Sequence, residues 1–136
     1  MLQRDYLVRM FSQLAAALRE TIFRSRNKED PETLADLLEA SLVNATEIDG
    51  ALLLQLAPDS MAAMLQFSGT DPRLVAYVAR VLLLESHYLE AADNASKAQL
   101  RRGQAEALSR TFDLGLDDSS LDEEALEDFF EKNNLA

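Results

Sequence analysis

Cysteine is absent from this chain of 136 residues, which excludes disulfide bonds, thiolate nucleophiles and thiolate-bound metal ions. The single histidine excludes the histidine pairs of common zinc sites and leaves little for a catalytic triad. Glycine and proline are scarce, with four and three residues, whereas leucine and alanine dominate. Because leucine and alanine lose little side-chain freedom in a helix, the composition predicts an all-α protein.

Long apolar runs are missing as well. No stretch of about 18 uncharged apolar residues occurs, so we expect no membrane span. Residues 1–5 lead directly into an amphipathic pattern that contains Arg9, which is unlike a secretory signal. The expectation is therefore a single domain over residues 1–136, located in the cytoplasm.

Acidic residues outnumber basic ones by 24 to 13, which gives a net charge of −11 at pH 7. A chain this acidic repels a phosphate backbone, so nucleic acid is not expected as a partner. The charge is uneven: residues 1–28 hold six Lys/Arg and two Asp/Glu, and residues 113–136 hold nine Asp/Glu and one Lys. This asymmetry predicts that the basic N-terminal helix and the acidic C-terminal helix attract each other, within one chain or between two.

Apolar residues that recur every three or four positions predict a series of helices separated by short breaks. Brief helices with tight breaks are typical of an array of helical hairpins, here with a C-terminal acidic helix. The predicted series is a helix over about residues 2–25, a helix from Pro31 capped by Asp30, short helices opening at residues 46–49 and at Asp59 or Ser60, long helices over about 72–93 and 95–112, and a final helix with a capping box at 120–123.

The helix over residues 72–93 is predicted to be central to the fold. Its polar residues, among them Arg73, Arg80 and His87, follow one narrow strip, and apolar residues fill most of the remaining surface. His87 on that strip is expected to be a solvated surface residue. The small residues of the following helix, with Gly103 midway, predict a close approach of the two helices.

Glu85 is the exception on the apolar surface of this helix. A carboxylate surrounded by valine, leucine and tyrosine must be paired, be protonated or face a groove. We expect a structural ion pair with Arg101, Arg102 or Arg110 of the next helix. The alternative is a pocket or interface, and the candidate residues for such a groove or interface are Glu85, Tyr88, Arg101 and Arg102.

The acidic C-terminal segment carries an apolar face of its own. Its large side chains prefer burial, so they predict packing onto the domain or onto another subunit. A detachable motif that binds another protein is the alternative. The candidate tail-contact residues are Leu121, Leu126, Phe129 and Phe130.

The opening residues 1–10, MLQRDYLVRM, resemble the start of a family of small, uncharacterised bacterial all-helical proteins. The order of the following segments is similar too: a leucine-rich region, two short helices over residues 46–66 and a hairpin from Pro72. The resemblance implies a tetratricopeptide-like second half and no assigned activity. The chain departs from that repeat because Asp93 and Asn94 replace a glycine-containing turn, and because no second copy recurs after about 34 residues.

The function expected from these features is a non-enzymatic protein–protein interaction module that associates with itself. The alternatives are a module that binds a small molecule or peptide in a groove near Glu85, and an enzyme with a carboxylate site there. No cofactor or metal is expected, since glycine-rich phosphate loops and nucleophile motifs are absent. Asp113, Asp117 and Glu124 have calcium-loop spacing, but Gly115 and Asp118 do not fit its third and sixth positions.

Overall fold

Seven α-helices and one short 3-10 helix make up the part of the chain that the computed structural model describes, residues 2–45 and 49–133. No strand occurs within these residues, which confirms the all-α class. The helices are α1 (Leu2–Arg26), α2 (Pro31–Val43), α3 (Gly50–Leu53), α4 (Pro58–Phe67), α5 (Pro72–Ala91), α6 (Ala95–Phe112), the 3-10 helix (Asp118–Leu121) and α7 (Glu123–Lys132).

Short polar side chains begin four of the helices, because each accepts a hydrogen bond from an otherwise unpaired backbone N–H of the first turn. The Asp30 carboxylate accepts from the N–H of Thr33 at 3.2 Å, as predicted. Asp49 caps α3 in the same way, although the predicted opening at residues 46–48 lies outside the described residues. The two remaining caps are Asp71 and Asn94.

Two predicted helix starts are wrong. The fourth helix begins at Pro58 and not at Asp59 or Ser60, because the fixed φ of proline suits the first helical position without a side-chain cap. The capping box at residues 120–123 does not form either. The hydroxyl of Ser120 instead accepts from the backbone N–H of Asp117 at 3.1 Å, which caps the start of the 3-10 helix that precedes α7.

Helix α5 is the centre of the molecule, as its narrow polar strip predicted. Fourteen of its 20 residues are buried, and it packs against α6, α2 and α1. The sequence predicted that Gly103 would help α6 approach α5, but Gly103 faces α4 instead. A Cβ atom at Gly103 would lie 3.0 Å from Cγ of Pro58, so the absence of a side chain at Gly103 allows α4 to pack closely on α6. No helix of the described residues is long and apolar enough to cross a membrane.

Candidate functional site

Glu85 has no accessible surface, and its carboxyl contacts Arg101 of α6. The Arg101 Nε donates to Glu85 Oε2 at 3.1 Å, and the Arg101 side chain is only 4 % exposed. Of the three arginines considered from the sequence, Arg102 and Arg110 instead pair with Asp118 and Asp59. Arg101 is thus the partner of the buried carboxyl.

Arg101 also binds the end of α3. Its Nη1 donates to the carbonyl oxygen of Leu54 at 2.8 Å and to Oε1 of Gln104 at 3.0 Å. Gln104 then donates to the carbonyl oxygens of Leu54 and Leu56, at 3.0 and 2.9 Å. Carbonyl groups at a helix C-terminus lack partners within the helix, so these two side chains of α6 hold α3 in place.

Glu39 of α2 completes the cluster. Its Oε1 accepts from Arg101 Nη2 at 3.0 Å and from Lys97 Nζ at 2.7 Å. Sequence reasoning missed Glu39, because nothing in the local pattern links α2 to the positions of α6. Gln104 was missed as well, although its spacing of three residues from Arg101 puts both on one helix face. We call Glu39, Glu85, Lys97, Arg101 and Gln104 the polar cluster.

The pKa values of the two carboxyls of the polar cluster are shifted in opposite directions. Burial raises the pKa of Glu85 to about 8 against the opposing charge of Arg101, and the nearby carboxyl of Glu39 adds to the rise. Burial also acts to raise the pKa of Glu39, but hydrogen bonds from Lys97 and Arg101 outweigh it and lower that pKa to about 2. Oε1 of Glu85 is buried and has no hydrogen-bond partner among the described residues, and such surroundings favour the protonated form of this carboxyl.

A cavity of about 540 Å³ lies beside the polar cluster, between α2, α3 and α6. Glu39, Lys97 and Arg101 line it together with apolar side chains such as Val43 and Leu100, whereas Glu85 does not line it. Four of the five N–H groups of Arg101 are already bonded within the protein. Most polar atoms of the cluster are therefore bonded within the protein, as in a structural network, and no three His, Asp or Glu side chains of the described residues are grouped to hold a metal ion.

The other two residues of the predicted groove lie elsewhere. Tyr88 is buried, and its hydroxyl faces the hydroxyls of Thr21 and Ser25 on α1. Arg102 Nη2 binds Oδ1 of Asp118 at 3.3 Å, and Nε2 of His87 lies 3.2 Å from the same oxygen. The structure thus brings Glu85 and Arg101 together and places Arg102 on the 3-10 helix side, where His87 is partly exposed and not fully solvated.

The tail-contact residues lie against the rest of the same chain. Leu126 and Phe130 are buried, whereas Leu121 and Phe129 are partly buried and packed on the core. The ring of Tyr77 on α5 is the common neighbour, with centroid distances of 4.7 Å to Phe129 and 6.0 Å to Phe130. The guanidinium of Arg80 lies 3.7 Å from the centre of the Phe129 ring. Aromatic burial therefore anchors the tail.

The opposite charges of the two chain ends meet within one chain. Arg19 of α1 forms a bidentate pair with Glu127 of α7, with both N–O distances at 2.8 Å. Arg26 pairs with Glu123 at 2.9 Å. All four side chains of these pairs are more than half exposed, so they guide the orientation of α7 more than they stabilise it.

A second cavity, of about 370 Å³, opens between α1 and α7. We call it the α1–α7 groove; its lining residues are Val8, Phe11, Ser12, Ala15, Arg19, Tyr77 and Phe130. Tyr77 is 2 % exposed. Burial raises the pKa of Tyr77, against the opposing charges of Arg19 and Arg80, so the hydroxyl keeps its proton.

The outward face of α4 is apolar. Ala63, Met64 and Phe67 are exposed, lie on one helix face, and form what we call the α4 stripe. Phe67 is 92 % exposed and Met64 is 43 % exposed. The opposite face of α4 buries Met61 and Leu65, so this short helix is apolar on two sides.

Comparisons of the chain with protein-family models, with curated proteins and with solved structures give no match. The resemblance of residues 1–10 to a bacterial family therefore stays a prediction. The polar cluster, the two cavities and the surfaces described above are the features that bear on function.

Proposed function

We propose that the protein is a non-enzymatic protein–protein interaction module that associates with a second copy of itself through the α4 stripe. The observation that carries this proposal is the 92 % exposure of Phe67. A large aromatic side chain held in water by a helix has no structural use on the surface, whereas transfer into an interface stabilises by about 1.5–3 kcal/mol.

The composition of the stripe favours a second copy as its partner. Its three residues carry no charge, so two stripes can bring apolar surfaces together across a two-fold axis. The net charge of −11 opposes association only weakly at physiological salt, because screening acts over about 8 Å. The stripe is small, and interfaces below about 1,200 Å² are typical of transient complexes. We therefore expect a dimer that exchanges rapidly.

The same proposal includes the finer architecture, an array of hairpins with a tetratricopeptide-like second half. Support comes from α5 and α6, which pack against each other along their lengths after a turn at residues 92–94. Asp93 adopts a left-handed conformation with φ of 62°, the conformation that a glycine would supply in such a turn.

Sedimentation velocity over a concentration series tests the self-association. The wild-type chain should sediment faster as its concentration rises from about 10 to 500 μM, across the range of weak dimers. Phe67→Ser should remain a monomer throughout, because it removes the main apolar group of the stripe. Phe23→Ser is the matched control, since Phe23 is 65 % exposed but lies on α1.

Two outcomes would contradict the proposal. One is a wild-type chain that stays monomeric at the highest concentration. The other is association that Phe67→Ser preserves and Phe23→Ser abolishes, which would place the interface on α1.

A further inference from the structure

We propose that α7 is exchanged between two copies of the chain, so that the α7 of one copy docks on α1 and α5 of the other. This interface is separate from the α4 stripe and does not depend on it. The exchanged segment comprises the 3-10 helix and α7, and residues 113–117 form the hinge that connects it to α6. The partner of the acidic tail is then the basic N-terminal helix of a second copy.

The side chains that hold α7 select an acidic helix that carries aromatic residues. We call Arg19, Arg26, Tyr77 and Arg80 the receptor face, because each of them contacts α7. Arg19 pairs with a carboxylate of α7 and also lies 4.5 Å from the centre of the Phe130 ring. The charge of this arginine thus recognises an acid and an aromatic ring on the same helix. A second copy carries the same receptor face, so it can receive the exchanged α7 with the same contacts.

Helix α7 is joined to the receptor face by few buried side chains. Two of its ten residues, Leu126 and Phe130, are buried, and the two ion pairs with α1 are more than half exposed. The α1–α7 groove also lies open between these two helices. Local opening concerns the parts of a protein with few buried contacts, so α7 can leave while the core around α5 stays folded. A helix of ten residues is marginal in water by itself, so a released α7 is stabilised by docking on either copy.

The hinge makes the exchange depend on the concentration of the chain. In the closed chain Asp113 has φ of 56°, a left-handed conformation that is unfavourable for a residue with a Cβ atom, and an extended hinge releases it. The five extended residues would span at most about 17 Å toward another copy. Ser109 holds the hinge closed by accepting hydrogen bonds from the N–H groups of Leu114 and Leu116, both at 2.9 Å. Because the contacts of α7 are the same in both forms, we expect the closed form at low concentration and exchange at high concentration.

Chemical cross-linking between two variants of the chain tests the exchange, and the absence of native cysteine makes the reaction specific. Arg19→Cys and Glu127→Cys place one thiol on α1 and one on α7, at exposed positions that contact each other. The two full-length variants, one of them isotopically labelled, are incubated together at about 500 μM and treated with a short bis-maleimide. A covalent heterodimer, identified by its mass, is the expected product. Its yield should be at least about tenfold greater than with Asp36→Cys, at an exposed position of α2, in place of Arg19→Cys.

Charge reversal at the other exposed ion pair shows whether docked α7 forms the contact. Arg26→Glu is added to the Arg19→Cys chain, and Glu123→Arg is added to the Glu127→Cys chain. Each chain then repels its own α7, whereas the α7 of the Glu127→Cys chain is attracted to the other chain. The yield of heterodimer should therefore rise about three- to fivefold. The matched control places both reversals in each chain, which restores the ion pair within the chain and should return the yield to its original value.

Phe67→Ser in both chains should leave the yield of heterodimer unchanged, so failure of the exchange and failure of the α4 interface are distinguishable. Three outcomes would overturn the proposal. The first is a yield no greater than that obtained with Asp36→Cys. The second is an equal yield for charge reversals in separate chains and in the same chain, which would show that docked α7 does not form the contact. The third is loss of the heterodimer in Phe67→Ser, which would assign the contact to the α4 stripe.

Discussion

The carboxyl of Glu85 holds its proton at neutral pH, because it has no accessible surface and lies beside a second carboxyl. The sequence identified Glu85 as anomalous from its apolar neighbours and included protonation among its possible states. Burial is the main cause of the raised pKa of Glu85, and Glu39, a residue 46 positions earlier in the chain, adds to it. The carboxylate of Glu39 contacts both Arg101 and Lys97, whereas the carboxyl of Glu85 contacts Arg101.

This arrangement predicts that stability falls as pH rises. The pKa of Glu85 is about 8 in the folded chain and about 4.3 in the unfolded chain, so only the folded state holds the proton between these values. The stabilisation that this proton provides is fully present below about pH 4.3 and is lost as pH rises through about 8. Between these values the free energy of unfolding falls by at most about 1.4 kcal/mol per pH unit. Glu85→Gln cannot titrate and has the shape of a protonated carboxyl, so it should remove this slope.

Urea unfolding at about pH 5, 6.5 and 8 gives the free energy of unfolding of Glu85→Gln and of the wild type. The difference between these two free energies at each pH measures the contribution of the Glu85 proton. Glu90→Gln makes the same substitution at an exposed position of α5 and should keep the wild-type slope. Equal slopes in the wild type and Glu85→Gln would show that Glu85 does not hold the proton.

At the scale of the helices, apolar burial and ion pairs contribute unequally to the packing of α7 on the rest of the chain. The charges of the chain ends predicted that these ends would meet, and the pairs Arg19–Glu127 and Arg26–Glu123 connect them. Exposed pairs of this kind contribute about 0–1 kcal/mol each. Phe130, in contrast, is 6 % exposed and packs on Tyr77, so its burial stabilises the docked tail more than either ion pair does.

Phe130→Ala is therefore expected to destabilise the protein by about 3–5 kcal/mol, whereas Glu127→Gln should cost no more than about 1 kcal/mol. Both free energies can be obtained by urea unfolding followed by circular dichroism. Raising the salt concentration should change the wild-type stability only slightly, because the ion pairs are exposed and already screened. A larger loss of unfolding free energy in Glu127→Gln than in Phe130→Ala would show that the ion pair stabilises the docked tail more than aromatic burial does.

At the scale of the whole molecule, a single core surrounds α5, and it joins residues from α1, α2, α4, α6 and α7. Leu82 is at its centre with no accessible surface. An unpaired carboxylate there costs several kcal/mol, which is comparable to the total stability of a domain. Leu82→Asp should therefore lack a cooperative thermal transition.

The control for this prediction is Leu52→Asp, which places the same charge at a leucine that is 58 % exposed on α3. It should melt close to the wild-type temperature, since surface substitutions usually change stability by less than about 0.5 kcal/mol. A cooperative transition of Leu82→Asp near that of the wild type would show that α5 is not the centre of the folding unit.

The sequence by itself determined the helical class, the central position of α5 and most helix starts. Each of these depends on local properties: helical propensity, the width of the polar strip around α5, and aspartate or proline at the first turn. The tertiary structure alone decided that Arg101 and Gln104 hold the end of α3, that Gly103 admits α4, and that Tyr77 lies beneath the tail. These contacts join residues far apart in the chain, and periodicity shows which face of a helix is apolar but not which helix covers it.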